Sequence, residues 1–156
     1  MRFPSLPTLA AAASVALAAP VMAAPAAGPL VSPAWLVAHE HDAHLVILDI
    51  RPAAAYAAGH VPGAVGADYE HSGWRARLPD GAGGALPAIP AISTVIAGHG
   101  VGNADRAVIV SSDFAAAARI FWTFKVLGHR QVPILDGGWQ GWQAAHEPVS
   151  AIAVTP

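Results

Sequence analysis

The sequence contains no cysteine. This absence excludes disulfide bonds, thiolate metal ligands and cysteine nucleophiles from the chemistry available to the chain. The formation of a covalent sulfur or thioester intermediate on a side-chain thiol is therefore excluded at the outset. No other feature of the composition removes as many candidate functions.

Charged side chains are also scarce, at 12% of the 156 residues, and the formal net charge is −2. The basic residues are scattered, so the chain lacks the basic stripe of nucleic-acid-binding proteins and the polybasic run of membrane-surface proteins. Hydrophobic residues make up 54% of the chain, which argues against disorder and suffices for the core of one domain. We expect no nucleic-acid partner and no membrane partner once the N-terminal segment is removed.

The first 23 residues have the layout of a secretory signal peptide. Arg2 provides a positive end, Leu6–Ala19 is uncharged and rich in alanine, and small residues surround the expected cleavage point. We therefore expect a periplasmic or secreted protein in which residues 24–29 form a flexible start. An uncleaved anchor and a disordered tail rich in alanine and proline are the alternatives.

The rest of the chain alternates between short apolar strands and helices, which is the pattern of a parallel sheet covered on both faces. We expect one domain over residues 30–148 and a C-terminal tail over residues 149–156. The predicted strands are Leu45–Leu48, Ala64–Ala67, Ala107–Val110 and Val132–Leu135, and the predicted helices are Pro33–Glu40, Pro52–Ala58, Ile89–Ala97, Phe114–Leu127 and Trp139–Ala145.

Two local predictions complete this description. The polar segment Asp68–Gly84 is expected to be a surface loop with one helical turn around Trp74. Gly59 stands directly after a predicted helix, where a glycine in the left-handed conformation commonly ends a helix.

Three segments carry a recognisable combination of motifs. The first is Asp49-Ile50-Arg51, then Tyr56 and Gly59-His60-Val61-Pro62-Gly63-Ala64; the second is the strand–loop–helix unit Val108–Leu127; the third is Leu135-Asp136-Gly137-Gly138-Trp139 with Trp142. Together and in this order they resemble the rhodanese family. The resemblance implies a three-layer α/β/α domain with a mainly parallel sheet of about five strands, the fifth at Leu30–Val31.

Two further segments narrow the resemblance. Gly128-His129 and Arg119-Ile120-Phe121-Trp122 are similar to the N-terminal domain of tandem-domain thiosulfate or 3-mercaptopyruvate sulfurtransferases. In those enzymes the C-terminal domain performs the chemistry, so the resemblance implies that the catalytic partner domain is missing from this chain. We expect no cofactor.

The loop after the strand Ala107–Val110 decides what chemistry is expected. The family places its persulfide-forming cysteine there, and the resemblance puts Ser112 at that position, followed by Asp113. A serine hydroxyl is a weaker nucleophile than a thiolate and cannot carry a persulfide. The loop from Ser112 to Arg119 is also expected to be longer than the compact catalytic loop, so we expect an inactive site.

The residues of this loop can also be interpreted without the resemblance to the rhodanese family. Ser111, Ser112 and Asp113 are all good helix N-cap residues, and capping is the favoured interpretation. A serine hydrolase with Ser112 as nucleophile is the alternative, but the sequence has no Gly-x-Ser-x-Gly motif and no histidine marked as its partner.

Arg51 and His60 are the other candidate functional residues. Arg51 could line an anion pocket together with Ser112, Asp113 and Arg119, or it could form a structural salt bridge with Asp49, which is the favoured interpretation. His60 could act in acid–base catalysis, but a side chain bonded to backbone that locks its turn is favoured. The remaining motif residues are expected to be structural: Asp49, Gly59, Gly63, Asp136, Gly137 and Gly138.

A cluster of histidines and acids, His39 to His44, is the one segment that resembles a metal site. Histidines at this spacing reach a common ion only outside a regular helix, so a solvated helix end is favoured and no metal is expected.

Two functions follow from these observations. The first is the non-catalytic domain of an exported sulfurtransferase, inactive alone and acting with a separate catalytic rhodanese domain. The second is a stand-alone inactive module that binds a protein or a small anion. A phosphatase related to this fold is a third idea, but it also requires the missing cysteine.

Overall fold

The structure is a computed structural model that describes residues 28–81 and 83–156. The predicted signal peptide and most of the predicted flexible start lie outside the described residues. In order, the elements are β1 Leu30–Val31, α1 Pro33–His39, β2 Leu45–Asp49, α2 Ala53–Ala58, β3 Val65–Gly66, β4 Ala76–Arg77, β5 Gly83–Ala85, α3 Ile89–Gly98, β6 Arg106–Val110, α4 Phe114–Val126, β7 Ile134–Leu135 and α5 Gly138–Ala144.

Five strands form one parallel sheet in the order β1-β7-β6-β2-β3. Successive residues of the central strands face opposite sides, so Ile109 packs with α3 and α4 whereas Val108 packs with α1, α2 and α5. The sheet is thus buried on both faces, which explains why its strands read as continuous apolar runs. The predicted α/β/α architecture, including the fifth strand at Leu30–Val31, is confirmed.

The strand predicted at Val132–Leu135 is shorter than expected. Only Ile134–Leu135 forms a regular β-strand, because Pro133 has no N–H to donate to a neighbouring strand. Its carbonyl oxygen still accepts a hydrogen bond from the Ile109 amide at 3.0 Å. The run Val132–Leu135 therefore lies alongside β6 over the whole length of the run, although only its second half forms a regular strand.

The prediction for residues 68–84 was wrong in two respects. Strands β4 and β5 pair in an antiparallel arrangement, and no helical turn surrounds Trp74. The Trp74 side chain is 1% exposed and its Nε1 donates to the Ala67 carbonyl oxygen at 2.8 Å. A single large apolar residue among polar neighbours gives no periodic signal, yet it enters the core beside Phe124.

The prediction for Gly59 was also wrong. Its backbone is extended, with φ 158° and ψ 138°, rather than left-handed helical. A Cβ atom added there would lie 2.8 Å from Cγ1 of Val149. Glycine is favoured at this position because residues with a side chain rarely adopt this backbone conformation and because a side chain would displace that of Val149.

Within the described residues, no helix combines the length and the apolar character needed to cross a membrane. The longest is α4, with 13 residues, and at 1.5 Å per residue it is shorter than a bilayer is thick.

Replacing Trp74 by alanine should lower the free energy of unfolding by about 3–5 kcal/mol, because the change leaves a cavity in the core. Trp122→Ala is the matched control, since the Trp122 side chain is 47% exposed and surface changes typically cost about 0.5 kcal/mol or less. Urea denaturation measures both values, and equal losses for the two variants would contradict the placement of Trp74.

Candidate functional site

Four loops meet at the edge of the sheet where the parallel strands end. They follow β2, β3, β6 and β7, and in open α/β sheets this edge is where ligands bind. Between the loops lies a shallow pocket bordered by Arg51, Asp68, Glu70, Ser112 and Asp113. A second concave surface lies on the other side of Ser112 and is lined by apolar side chains that include Leu30 and Phe114.

The loop after β6 is short, and the predicted long loop from Ser112 to Arg119 was wrong, because Asp113 caps α4 and the helix begins at Phe114. This loop is held by its own side chains. The Asp113 carboxylate is the N-cap of α4 and accepts a hydrogen bond from the Ala115 amide at 2.8 Å. Ser111 is buried, and its Oγ accepts from the Asp113 amide at 3.0 Å. Two amides that could stabilise a bound anion at this helix N-terminus therefore already have partners, and one partner is itself an anion.

Ser112 is exposed at the mouth of this loop. The hydrogen bonds of the described residues include none between its hydroxyl and a histidine. A serine nucleophile needs a base within hydrogen-bond reach, and the structure brings none to Ser112. The geometry thus gives no support to the hydrolase alternative.

The Gly137-Gly138 turn lies directly against the same loop. The Trp139 amide donates to the Ser111 carbonyl oxygen at 2.8 Å. A Cβ atom on Gly138, whose φ is 55°, would lie 2.2 Å from that oxygen. Only glycine allows this approach, so the turn after β7 and the loop after β6 support each other. Asp136, just before it, is exposed and donates its amide to Val31.

Arg51 and Asp49 form a buried ion pair behind the pocket. The Asp49 side chain is fully buried and Arg51 is 5% exposed. Arg51 Nη2 lies 2.6 Å from Asp49 Oδ2, and Nε lies 2.9 Å from Oδ1. Nη2 also donates to the Gly59 carbonyl oxygen at 2.7 Å, and the guanidinium lies 3.9 Å from the Trp139 ring centroid. These contacts use Arg51 as a structural cation, which leaves little of its charge for an anionic ligand.

Asp68 is a site residue that the sequence reasoning missed. Its carboxylate accepts hydrogen bonds from the Ala53 amide at 3.1 Å and the Glu70 amide at 2.9 Å, and it lies 3.2 Å from Nδ1 of His71. Burial acts to raise the pKa of Asp68, but the hydrogen bonds from Ala53 and His71 outweigh it and lower that pKa below the usual value. The carboxylate therefore stays ionised and provides the cap that α2 lacks locally. The only sequence signal for this role is the position of Asp68 directly after the strand predicted at Ala64–Ala67.

Arg119 does not reach the pocket. Its Nη2 donates to the Gly84 carbonyl oxygen at 2.7 Å, and its guanidinium lies 4.9 Å from the Trp122 ring centroid. Arg119 therefore ties α4 to the β4–β5 pair. With Asp68, Glu70 and Asp113 at its rim, the pocket carries more negative than positive charge.

His60 lies away from the pocket, in the turn between α2 and β3. Its ring is fully buried and stacks on Tyr56, with centroids 3.9 Å apart. Both ring nitrogens face backbone carbonyl oxygens, Nδ1 that of Tyr56 at 2.9 Å and Nε2 that of Ile152 at 3.1 Å. Gly63, with φ 76°, completes the turn. No contact links this histidine to Ser112, and its partners are those of a side chain that locks a turn.

The histidines near the end of α1 have separate partners. His39 stacks on Trp35, whereas Nδ1 of His44 lies 3.0 Å from Oδ1 of Asp105, whose pKa is lowered by that contact and by the Gly102 amide. His41 lies near Glu40. Among residues 28–81 and 83–156, no group of three potential ligands could hold a metal ion.

Comparison with known proteins gives a consistent result. The model of the rhodanese-like domain family matches residues 32–145. The chain is 32% identical over 136 residues to the mitochondrial thiosulfate/3-mercaptopyruvate sulfurtransferase 1 of Arabidopsis thaliana, covering 80% of this chain and 35% of that protein. It is 31% identical over 127 residues to thiosulfate/3-mercaptopyruvate sulfurtransferase 2 of the same plant, covering 75% and 36%.

A solved structure agrees with these relatives. SseA from Escherichia coli, described as a 3-mercaptopyruvate sulfotransferase with the rhodanese fold, superposes with a TM-score of 0.68 at 27% identity. The match covers 83% of this chain and 53% of SseA. The chain therefore spans between about a third and a half of the length of these proteins.

Removing the Arg51 side chain should destabilise the domain by about 3–5 kcal/mol, because Asp49 would keep a buried charge without its partner. Arg75→Ala is the matched control, since Arg75 pairs with Glu70 at the surface and exposed pairs contribute about 0–1 kcal/mol. Chemical denaturation of Arg51→Ala and Arg75→Ala checks the difference. A loss below about 1 kcal/mol for Arg51→Ala would show that the pair is not structural.

Proposed function

The chain belongs to the rhodanese-like domain family, and from this premise we propose that it is an exported, non-catalytic domain that supports sulfur transfer through a partner. The observation that carries the proposal is the loop after β6. This loop contains Ser112 and the capping residue Asp113, in a chain without any cysteine.

The chemistry of sulfur transfer explains why this loop matters. A thiolate must accept a sulfur atom as a persulfide, and free amides at a helix N-terminus must stabilise the resulting anion. Ser112 cannot form a persulfide, and Asp113 places a carboxylate where the sulfur anion would be held. Both the nucleophile and its electrostatic support are therefore missing at this loop.

The partner in this proposal is a rhodanese domain that carries its own cysteine. The similarity to thiosulfate and 3-mercaptopyruvate sulfurtransferases covers most of this chain but at most about half of each relative. The substrate would then be bound mainly by the partner. The acidic rim of Asp68, Glu70 and Asp113 is consistent with this division, because it would repel thiosulfate or 3-mercaptopyruvate.

A stand-alone binding module is the second candidate. It is favoured by the apolar surface beside Ser112, where Phe114 is 70% and Leu30 48% exposed. The apolar and acidic character of this edge suits a protein better than a small anion. The DNA downstream of the codon for Pro156 distinguishes the two candidates, because a second rhodanese domain with a cysteine loop there supports the first.

The purified chain should form no thiocyanate from thiosulfate and cyanide. The Ser112→Cys variant should also be inactive, because Asp113 still occupies the helix N-terminus with its carboxylate. Colorimetric detection of thiocyanate measures both, with an active thiosulfate sulfurtransferase as the positive control. Turnover of the unchanged chain above a buffer blank would overturn the proposal.

Export predicts that the chain isolated from the cell envelope begins at about Ala24. Intact-mass spectrometry of the envelope fraction measures this directly. A variant with Leu9 and Leu17 replaced by arginine interrupts the apolar stretch and should remain unprocessed in the cytoplasm. An intact Met1 in the envelope fraction would contradict cleavage.

A further inference from the structure

The outward face of α4 is apolar although it is exposed. The residues that this helix buries against the domain are Ala116, Ala117, Ile120, Thr123 and Phe124. Its other side carries a ridge of apolar residues spaced four apart, a spacing that places them on one side of a helix. We call these residues, Phe114, Ala118, Trp122 and Val126, the α4 stripe. Phe114 is 70%, Trp122 47% and Val126 50% exposed, and contiguous exposed apolar side chains mark a surface that binds another protein.

The α4 stripe is complementary in shape to a second copy of itself. Its midpoint along the helix is Ile120, so a twofold axis at this level places two α4 helices antiparallel against each other. Ala118 of each copy then lies opposite Trp122 of the other, and Phe114 lies opposite Val126. The largest side chain of the stripe thus meets the smallest, and interdigitation of ridges with this spacing is the commonest way in which helices pack. The pattern of large and small side chains therefore suits a second copy in antiparallel orientation.

The two ends of α4 carry opposite charges. Asp113 and Asp136 are exposed at its N-terminal end, where Asp136 borders the same concave surface as Phe114. Lys125 and Arg130 are exposed at its C-terminal end, where the Lys125 ammonium donates to the Arg130 carbonyl oxygen at 2.6 Å. Within residues 28–81 and 83–156, the ion pairs include none of these four charged side chains. Antiparallel pairing brings the acidic end of each copy to the basic end of the other, whereas parallel pairing would bring like charges together.

Arg119, the other charged residue of α4, does not oppose this pairing. Its Nη2 donates to the Gly84 carbonyl oxygen at 2.7 Å, which draws the guanidinium toward β5 and to the side of the α4 stripe. The guanidinium also lies on the Trp122 ring, 4.9 Å from the centroid. The two copies of Arg119 are therefore not directed at each other across the twofold axis.

We propose that the α4 stripe is the interface of a homodimer, in which a second copy of the chain packs antiparallel on α4. One helix pair is a small interface, so we expect a dissociation constant of about 10–100 μM and a monomer in dilute solution. Pairing covers Phe114 and with it the apolar surface beside Ser112. The dimer and the binding of another protein at that surface therefore exclude each other, so dimer formation controls access to the loop after β6.

Position 115 tests the antiparallel arrangement through its charge, because Ala115 is exposed and lies opposite Lys125 of the second copy in the proposed dimer. Sedimentation equilibrium at low ionic strength measures the dissociation constant of the purified chain and of its variants. Ala115→Glu should lower this constant about threefold and Ala115→Lys should raise it about threefold, because each dimer contains two such contacts between exposed charges. Combining Ala115→Lys with Lys125→Glu should restore the original value. Ala57→Lys is the matched control: Ala57 is exposed on α2, on the other side of the sheet, so the constant should not change.

Cross-linking through introduced cysteines tests the same arrangement in a chain that otherwise contains no cysteine. In an equal mixture of Ala115→Cys and Lys125→Cys chains, a short bismaleimide should link one variant to the other. Either variant alone should give little product, because the two copies of each position lie at opposite ends of the helix pair. Cross-linking only between identical variants, or equal dissociation constants for Ala115→Glu and Ala115→Lys, would overturn the proposal. So would an unchanged chain that stays monomeric about tenfold above the expected dissociation constant, which would leave the α4 stripe to a different protein.

Discussion

The buried ion pair between Asp49 and Arg51 determines how the loops at the edge of the sheet are arranged. Asp49 ends β2 in the core, and burial of an unpaired carboxylate would cost on the order of several kcal/mol. Arg51 compensates for this cost with two guanidinium nitrogens and its own amide. The same guanidinium bonds to Gly59 after α2 and lies on Trp139 in α5. One cation therefore sets the positions of the turn that carries His60 and of the helix that follows the Gly137-Gly138 turn.

The loops at this edge of the rhodanese-like fold are stabilised by the protein's own side chains, without a ligand. In a catalytic loop, the amides at the start of the helix are free to stabilise an anion; here Asp113 and Ser111 accept their hydrogen bonds. On the opposite side of the pocket, Asp68 performs the same task for α2. Carboxylates thus satisfy the helix N-termini on both sides, which stabilises the fold and opposes the binding of anionic substrates.

Much of the fold could be predicted from the sequence because its signals are local. The buried strands are continuous apolar runs, Ser32-Pro33 marks the start of α1, and the motif around Gly137-Gly138 marks a tight turn. The pairing of Asp49 with Arg51 was also accessible, since only Ile50 separates the two residues in the sequence. The β4–β5 pair was not, because three glycines and scattered polar residues carry no alternation of apolar and polar side chains.

The sequence by itself determined the fold family, the five-strand sheet and the absence of a thiol at the loop after β6. Only the tertiary structure decided that Trp74 belongs to the core, that Asp68 caps α2, that Arg119 turns away from the pocket and that His60 lies between two carbonyl groups. Each of these depends on groups brought together from distant parts of the chain, in the case of His60 and Ile152 a separation of 92 residues. Local patterns cannot encode such contacts, because they arise only when the strands and helices have packed.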